Sequence, residues 1–386
     1  MNLSKAVCLL VILAAFFVAS MYAIDSYSID ANSPEIKYSN ARYVVKGSQV
    51  WFDWPGLRIN THVYYREENN VHPDAPHLNH LQLNVDIVDE KNMYNAHLYK
   101  VHRISLRRLE LLQSIFVNAA DPRNEMGEMS VSFVWKKPSP IPEDYENEYI
   151  VEIELEKRTE AQLGIVKLNA LNFIGGSPIP ELEEEEDFPH NQTAYDEDDM
   201  MDHPLEELVV VRKSREDPVK VDPPKPFAIE FIGDSYSCGW GNLGFPPCDY
   251  EPRTQNIHEA FTQKTARYLN ATQLQVNCWS GKGVVKNYDD TTPTSKNPFP
   301  VYYSRALAND PEEEWHFEKS SFVPDVLVIT LGTNDFCTQQ VPSFKEFKAG
   351  YQKFIDFIME TYLPLKGENF KMVLVVSIVF ILISPN

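Results

Sequence analysis

The sequence has few basic residues for its length. Its 386 residues include 35 lysines and arginines against 56 aspartates and glutamates, so the formal net charge at pH 7 is -21. Nucleic acids and anionic membrane surfaces would repel such a chain, and the composition argues against both as partners. A neutral partner such as a carbohydrate is compatible with this charge. The alternative is that the acidity only keeps the protein soluble.

Cysteine is also scarce, with five residues. Four of them, Cys238, Cys248, Cys278 and Cys337, lie outside the N-terminal apolar segment that holds Cys8. In an oxidising compartment these four permit two disulfides, and Cys238 with Cys248 is the pair closest in the chain. Free buried thiols are the alternative. No cysteine has the spacing to histidine that is typical of a zinc site, so the sequence predicts no metal and no cofactor.

The N-terminus indicates secretion. The segment "MNLSKAVCLLVILAAFFVASMYAID" places one lysine before an apolar run that ends in small residues. This pattern is typical of a secretory signal peptide, which we place at residues 1–23, and the run is short for the alternative of a membrane anchor. Cleavage would leave a secreted protein without a membrane segment. In that context, the sequons at Asn191 and Asn270 are candidate glycosylation sites.

Residues 36–176 have the pattern of a β-sandwich domain. Apolar and polar residues alternate, which is typical of strands with one buried face. Only the stretch "ISLRRLELLQSIF" (104–116) has a spacing that also suits a helix. The clearest alternating stretches are "LQLNVDIV" (81–88), "MSVSFVW" (129–135) and "YIVEIELEK" (149–157). We therefore expect two antiparallel sheets packed face to face.

Residues 177–225 form a proline-flanked acidic segment with little apolar periodicity. Like charges at this density repel each other and stay solvated, so we interpret the segment as an insertion or linker. A calcium site is the alternative, but the segment lacks the spaced ligands and turn glycine of a calcium loop.

Residues 226–386 have a different pattern, in which short apolar runs alternate with helical spacing. This is typical of βαβ units and predicts a parallel sheet between two helical layers. The predicted strands are "FAIEFIG" (227–233), "DVLVITLG" (325–332) and "KMVLVV" (371–376), and the predicted helices are "IHEAFTQKTARYL" (257–269) and "FKEFKAGYQKFIDFIMETYL" (344–363). Functional sites in such sheets lie at the carboxyl ends of the strands.

Three motifs lie at such strand ends. Gly233 precedes Asp234 and Ser235, and its backbone freedom predicts a sharp turn that presents the serine. Gly281 follows a second predicted strand and offers a bare backbone N–H, and Asn334 follows a third with a neutral side-chain donor. A serine beside such donors can attack a carbonyl while the donors hold the resulting oxyanion. Taken alone, Gly-Asp-Ser is also compatible with an ordinary capped turn.

In this order, Gly233-Asp234-Ser235, Gly281 and Gly332-Thr333-Asn334-Asp335 resemble the first three motifs of the SGNH (GDSL-type) hydrolases. The resemblance implies that Ser235 is the nucleophile and that the Ser235 N–H, the Gly281 N–H and the Asn334 side chain form the oxyanion hole. Asp234 and Asp335 would support them.

Further stretches resemble carbohydrate esterase family 2. They are "FDWPGLRI" (52–59) and "LEKRTEAQLGIVKLNALNF" (155–173) for its N-terminal jelly roll, and "FIGDSYSCGWGN" (231–242) and "SGKGVVKNY" (280–288) for its catalytic domain. This resemblance implies a secreted esterase that deacetylates polysaccharides or oligosaccharides, similar to an acetyl xylan esterase. Tyr236, Trp240 and Trp279 are candidate sugar-stacking rings, with core packing as the alternative. Alternative functions are a non-catalytic carbohydrate-binding protein and a lipase-like esterase.

The family's late Asp-x-x-His motif is absent from this sequence, whose last histidine is His316. We interpret His258 and His316 as surface or helix-cap residues. Because a serine without a base is a weak nucleophile, we expect the polypeptide as written to be nearly inactive. The ending "KMVLVVSIVFILISPN" suggests intron read-through, since Val-Ser is what a consensus splice donor encodes, with a short membrane tail as the alternative. We therefore expect the hydrolase domain to be incomplete at its C-terminus.

Overall fold

The computed structural model describes residues 26–66, 71–72, 75–89, 91–102, 105–119, 121, 127–136, 148–179, 227–245 and 250–375. The predicted signal peptide, most of the acidic segment, the last eleven residues (376–386), Cys248 and the sequon at Asn191 lie outside these residues. The domain boundaries proposed from the sequence stay predictions.

The N-terminal part of the described chain consists of strands. They are β1 Ser26–Asp30, β2 Lys37–Ser39, β3 Val44–Lys46, β4 Gln49–Phe52, β5 Arg58–Arg66, β6 Val71–His72, β7 Ala75–Val88, β8 Met93–Val101, β9 Arg108–Asn118, β10 Glu128–Lys136, β11 Glu148–Lys157 and β12 Val166–Ile174. One sheet has the order β10-β7-β12-β4-β3, with β1 beside β12 and β6 beside β7, and the other has the order β2-β5-β11-β8-β9. Neighbouring strands in both sheets are antiparallel.

Alternation along the strands builds the core between these two sheets. In β7 the side chains of Leu81, Leu83 and Val85 are fully buried, and they belong to the same apolar cluster as Ile153 and Leu155 of β11. Residues two apart in a strand point to the same face, so the alternating pattern places these side chains on the inner faces of both sheets. The predicted β-sandwich is confirmed.

The stretch 104–116, whose spacing also suited a helix, contributes instead to strand β9. This strand pairs with β8 from Arg108 to Asn118, with two irregularities in the register. Its side chains are mostly exposed or half-buried, since it lies at the edge of its sheet. Pairing with β8 therefore overrides the local helical spacing.

The C-terminal part forms an α/β domain around a four-stranded parallel sheet. Its strands are β13 Ala228–Gly233, β14 Gln273–Cys278, β15 Val326–Ile329 and β16 Lys371–Leu374, in the order β14-β13-β15-β16. Its helices are α1 Ser235–Cys238, α2 Phe261–Tyr268, α3 Phe299–Tyr303, α4 Thr333–Phe336 and α5 Phe344–Lys366. Short 3-10 turns lie at Ala161–Leu163, Pro252–Thr254, Ile257–Glu259, Phe317–Lys319 and Gly367–Asn369.

Both faces of the parallel sheet are covered, as the continuous apolar runs predicted. On one face Ile232 and Ile329 pack in a cluster with Phe354 and Ile358 of α5. On the other face Phe231 belongs to a cluster that includes residues of α2. The predicted α/β/α layering is confirmed. Among the described residues, no helix has the length and apolar character needed to cross a membrane.

Polar contacts join the sandwich to the α/β domain. The buried carboxylate of Asp53 accepts the backbone N–H groups of Ala308 and Asn309 at 2.9 and 2.8 Å. Arg158 donates to the Gln255 carbonyl at 3.0 Å. These contacts attach the residues that follow β4 and β11 to the α/β domain.

The disulfide expected between Cys238 and Cys248 is not the one that forms. Cys238 pairs with Cys278, with their Cα atoms 5.6 Å apart. Cys278 ends β14 and Cys238 lies just beyond β13, and because these strands are parallel neighbours, their carboxyl ends lie side by side. Proximity in the fold therefore outweighs proximity in the chain. Cys337 is free and exposed.

Candidate active site

The predicted nucleophile lies at the turn from β13 into α1. Ser235 is the first residue of this short helix and is half-buried. Asp234 caps it, and its carboxylate accepts the Tyr236 N–H at 3.2 Å. The capped turn thus aims the serine out of the carboxyl edge of the sheet.

Gly233 serves this turn for a different reason than the sequence suggested. Its backbone is not in the left-handed region that favours glycine. Instead, a Cβ at this position would lie 1.9 Å from the Ser237 hydroxyl oxygen and 2.3 Å from that of Thr330. The predicted backbone freedom is therefore wrong, and the glycine is needed for space where β13 meets β15 and α1.

Gly281 lies in the loop that follows β14. Here the left-handed backbone is present, with φ at +78°, and a Cβ added to this glycine would come no closer than 3.8 Å to Tyr288 Cβ, its nearest neighbour. The Tyr288 N–H donates to the Gly281 carbonyl at 2.8 Å, and the Trp279 N–H donates to the Gly233 carbonyl at 3.2 Å. These two bonds hold the Gly281 loop against the turn that carries Ser235.

Asn334 completes the group from the end of β15. Its side chain is 6% exposed, and Nδ2 donates to the Lys282 carbonyl at 2.9 Å. The same Nδ2 atom lies 3.5 Å from Asp234 Oδ2. Because Lys282 follows Gly281 and Asp234 precedes Ser235, this one amide touches both neighbouring loops. The structure therefore brings the three predicted residues to one edge of the sheet.

Asp335 holds the loop after Gly281 in place. Its carboxylate accepts the backbone N–H groups of Val284, Val285 and Lys286 at 2.9, 2.7 and 2.9 Å. Burial raises the pKa of Asp335 although these three donors act to lower it. The residue contacts the loop backbone and so positions the neighbouring donors.

Burial also raises the pKa of Asp234, to about 7, and the negative charge of Asp335 adds to the effect while the Tyr236 N–H opposes it. The carboxyl group beside the predicted nucleophile therefore takes up a proton much closer to neutral pH than an exposed aspartate does. Any step that places a negative oxygen at this edge is favoured when Asp234 is neutral, because like charges repel.

The three candidate stacking rings differ in their surroundings. Tyr236 is 61% exposed and Trp240 is 37% exposed. Trp279 is partly buried against the core of the α/β domain, and its ring centroid lies 4.7 Å from that of Tyr302. Tyr236 is the most exposed of the three, whereas the Trp240 ring packs on Tyr250 and the Trp279 ring on Tyr302, with centroids 4.7 Å apart in both pairs.

The two histidines considered from the sequence lie away from Ser235. His316 is exposed, with Nδ1 3.7 Å from Glu318. His258 is not a simple surface or cap residue, because Nδ1 lies 2.8 Å from the buried Glu156 of the sandwich. Within the described part of the chain, neither is hydrogen-bonded to Ser235.

Sequence reasoning missed one residue at this site, and that residue comes from the other domain. Glu160 follows β11, and its carboxylate accepts the N–H of Ser280, the residue before Gly281. Burial raises the pKa of Glu160 to about 7, although its bonds to Ser280 and the charge of Lys157 oppose the shift. The only sequence signal for it was its place in the stretch 155–173, which resembles the first domain of the esterase family.

Comparison with known proteins agrees with this geometry. Residues 229–385 match the family described as GDSL-like Lipase/Acylhydrolase. The C-terminal part of the chain is thus similar to GDSL-like acylhydrolases. The resemblance inferred from Ser235, Gly281 and Asn334 is thereby confirmed at the level of the family, and the match covers the GDSL domain from β13 onward.

Two curated relatives align with parts of the chain. Cellulase/esterase CelE of Acetivibrio thermocellus is 35% identical over 142 residues, which is 36% of this chain and 16% of CelE. An acetylxylan esterase / glucomannan deacetylase of Cellvibrio japonicus is 40% identical over 113 residues, which is 28% of this chain and 30% of that protein. The aligned parts thus span less than a third of either relative.

The similarity of the fold extends further than these alignments. A family two carbohydrate esterase from Cellvibrio japonicus superposes with a TM-score of 0.58 over 92% of this chain and 89% of the other, at 17% identity. The fold of this chain, a sandwich followed by an α/β domain, is therefore similar to the fold of that esterase.

Proposed function

We propose that this protein is a serine esterase that removes acetyl groups from polysaccharides or oligosaccharides, with Ser235 as the nucleophile. The observation that carries the proposal is the convergence of Ser235, Gly281 and Asn334 at one edge of the parallel sheet, linked through the Asn334 amide. The names of the aligned relatives, an acetylxylan esterase and a cellulase/esterase, support the acetyl ester and the polysaccharide.

In the proposed mechanism each group has a role. The Ser235 hydroxyl attacks the ester carbonyl, and the carbonyl oxygen becomes an oxyanion beside the Ser235 N–H, the Gly281 N–H and Asn334 Nδ2. Each neutral donor of this kind stabilises the transition state by about 3 to 4 kcal/mol. The sugar hydroxyl leaves with a proton, and water then hydrolyses the acetyl-serine. Asp234 and Asp335 keep the two loops in register.

A base must accept the proton of Ser235, and a histidine is the usual one. The two histidines of the GDSL domain, His258 and His316, are both bonded elsewhere or exposed. Among the described residues no histidine is hydrogen-bonded to Ser235, so we propose that ester hydrolysis by this part of the chain alone is slow. Loss of the histidine in subtilisin lowers kcat by a factor on the order of 10^6.

Further features support the proposed secretion and the proposed carbohydrate substrate. The N-terminal sequence favours a secreted protein with a cleaved signal peptide, and the sequon residue Asn270 is exposed at the end of α2. The exposed rings of Tyr236 and Trp240 suit stacking on sugar faces next to Ser235. The strongly negative charge disfavours nucleic acid as a partner.

The test uses the hydrolysis of an aryl acetate with and without added imidazole, which can replace a missing histidine base. We expect imidazole to accelerate the wild type above its own background and to have no such effect on Ser235→Ala. Asn334→Ala should lower the accelerated rate by roughly 10^2 to 10^3. Ser321→Ala, at an exposed serine away from the site, is the matched control.

A carbohydrate-binding protein without activity is the second candidate, because Tyr236 and Trp240 are exposed while Ser235 has no histidine partner in the described residues. Equal rates for the wild type and Ser235→Ala with imidazole, together with glycan binding lost in Trp240→Ala, would establish it instead. A preference for longer acyl chains would favour a lipase-like esterase.

A further inference from the structure

A cluster of two histidines and a glutamate lies between the two domains. His97 belongs to β8, Glu156 to β11 and His258 to the 3-10 turn before α2. One ligand atom from each of the three side chains lies within 4.8 Å of the other two. The cluster thus connects the sandwich to the α/β domain, and its side chains are of types that ligate metal ions in proteins.

Strand geometry explains how the two sandwich ligands meet. In the β8 and β11 pairing, His97 lies opposite Glu154 and Asn95 lies opposite Glu156. Because residues two apart share a face of the sheet, His97 and Glu156 are diagonal neighbours on the outer face. His258 of the α/β domain covers this position, with its ring centroid 5.7 Å from that of His97.

One nitrogen of the buried His97 ring has no hydrogen-bond partner among the described residues. Its Nδ1 lies 2.7 Å from Ser114 Oγ, whereas its Nε2 is buried without a hydrogen-bond partner among the described residues. A buried polar atom left unpaired is costly, and a metal ion would satisfy it. A metal-ligating histidine is typically held at its other nitrogen, as Ser114 holds Nδ1 here.

The two carboxylate oxygens of the glutamate have different partners. Glu156 is fully buried, and its Oε1 accepts from Arg58 at 3.0 Å and from Gln263 at 3.2 Å. Its Oε2 lies 2.8 Å from His258 Nδ1 and only weakly, at 3.5 Å, from Asn95 Nδ2. The positive charge of Arg58 disfavours a bound cation. However, Arg58 donates to Oε1, so Oε2 remains directed towards the two imidazoles.

We propose that His97, Glu156 and His258 bind a zinc ion that clamps the sandwich to the α/β domain. Two imidazoles and one carboxylate with a fourth position for water are a donor set that zinc uses in proteins. Ligands on a tetrahedral zinc stand about 3.4 Å apart. On binding, the 2.8 Å contact between Glu156 Oε2 and His258 Nδ1 therefore opens slightly, while the longer separations, of up to 4.8 Å, shorten. His258 is partly exposed and gives the ion a path from solvent.

The spacing of residues along the sequence did not predict this site, because the spacing rule for zinc sites looks for cysteines close to histidines in the chain. These three ligands lie 59 and 102 residues apart in the chain, and none is a cysteine. The site does not involve Ser235, so a test of zinc binding is independent of the esterase proposal.

The test uses the full chain, produced without a histidine tag and treated with a chelator. We expect zinc to bind with one ion per chain in calorimetry and to raise the Tm, and cobalt to give the visible absorption of a tetrahedral site. His97→Gln and His258→Gln should each weaken binding by at least about 100-fold, and Ser114→Ala by about 10-fold, as for other partners of metal ligands. His316→Gln, at an exposed histidine, should bind as the wild type does.

The proposal is overturned if zinc binds equally to the wild type and to His97→Gln, or if no saturable binding occurs. If a variant fails to fold, the wild type alone decides. Zinc should then protect His97 and His258, but not His316, from acylation by diethyl pyrocarbonate, as read by mass spectrometry. Equal modification of all three with and without zinc would also refute the site.

Discussion

Glutamates are buried in two regions of this molecule, and the two regions shift their pKa in opposite directions. On the outer face of the sandwich, Glu152 and Glu156 of β11 face arginines at hydrogen-bond distance, with Arg108 to Glu152 at 2.7 Å and Arg58 to Glu156 at 3.0 Å. Burial alone would raise the pKa of both glutamates. The charge and hydrogen bonds of the arginines, joined at Glu156 by those of His258, lower it instead, to about 2 for Glu156.

At the parallel sheet the result is reversed. Glu230 lies in the central strand β13, where burial raises its pKa despite the charge of Arg42. The guanidinium Nη2 is 3.5 Å away and donates no hydrogen bond to any described residue, whereas the hydroxyls of Tyr303 and Tyr362 donate at 3.0 and 2.9 Å. The comparison teaches that a cation at hydrogen-bond distance, and not the depth of burial, decides which form of the carboxyl group is stable.

The largest expected effect comes from removing the one cation beside Glu230 among the described residues. Arg42→Met should lower the free energy of unfolding by about 3 to 5 kcal/mol, because it leaves a buried carboxyl group without its charged partner. It also removes a donor to the Arg305 carbonyl, at 3.1 Å. The loss should shrink in acid as Glu230 takes up a proton. Urea unfolding at mildly acidic and mildly alkaline pH measures both effects.

The double variant Arg42→Met/Glu230→Gln is the control for this interpretation. It should recover part of the loss, since the glutamine needs no counter-charge. A double variant as unstable as Arg42→Met at every pH would show that Arg42 acts through its carbonyl contacts and packing alone.

Glu156→Gln tests the arginine-lined face. A pKa lowered from 4.5 to about 2 contributes stability above pH 4.5 and loses it as the pH falls towards 2. The variant should therefore be less stable than the wild type by about 2 to 3 kcal/mol at neutral pH, with the difference vanishing in acid. Urea midpoints against pH, measured with a chelator present to exclude metal binding, give the result. A difference that stays constant across pH would contradict the lowered pKa.

Glu160→Gln should show the opposite sign, although Glu160 lies only four residues further along. A pKa raised from 4.5 to about 7 gives stability that is present below pH 4.5 and is lost as the pH rises through 7. Above neutral pH the variant should exceed the wild type by about 1 to 2 kcal/mol, because the variant no longer buries a negative charge there. The same urea series measures it. Parallel curves for the wild type and the variant would refute the assignment.

The fold could be predicted from the sequence, whereas the contrast between the two groups of glutamates could not. Alternation predicted the strands of the sandwich, and apolar runs predicted the parallel sheet, because both patterns are local. They also placed Ser235, Gly281 and Asn334 at strand ends. The local pattern left only the stretch 104–116 ambiguous between helix and strand, and its pairing with β8 makes it a strand.

The contacts that set the pKa values join residues far apart in the chain. Arg42 reaches Glu230 across 188 positions, and Glu160 reaches the Ser280 amide across 120. No local pattern distinguishes Glu156 from Glu160, or the Cys238 partner Cys278 from Cys248. These outcomes depend on how strands pair and how the two domains pack, and a spacing rule contains no information about either.

The smallest effect on stability is expected at a solvent-exposed ion pair between a basic and an acidic side chain. Lys366 Nζ lies 2.8 Å from Asp325 Oδ1, and both side chains are more than a quarter exposed. Lys366→Met should cost only about 0.2 to 1 kcal/mol, because water solvates both charges when the pair is broken, and added salt should reduce the cost further. Asp325 keeps its bond from the Ala228 N–H at 2.8 Å, so the change isolates the ion pair. The measurement is urea unfolding at low and high salt beside Arg42→Met. If Lys366→Met costs as much as Arg42→Met, then solvent exposure does not separate the two regions.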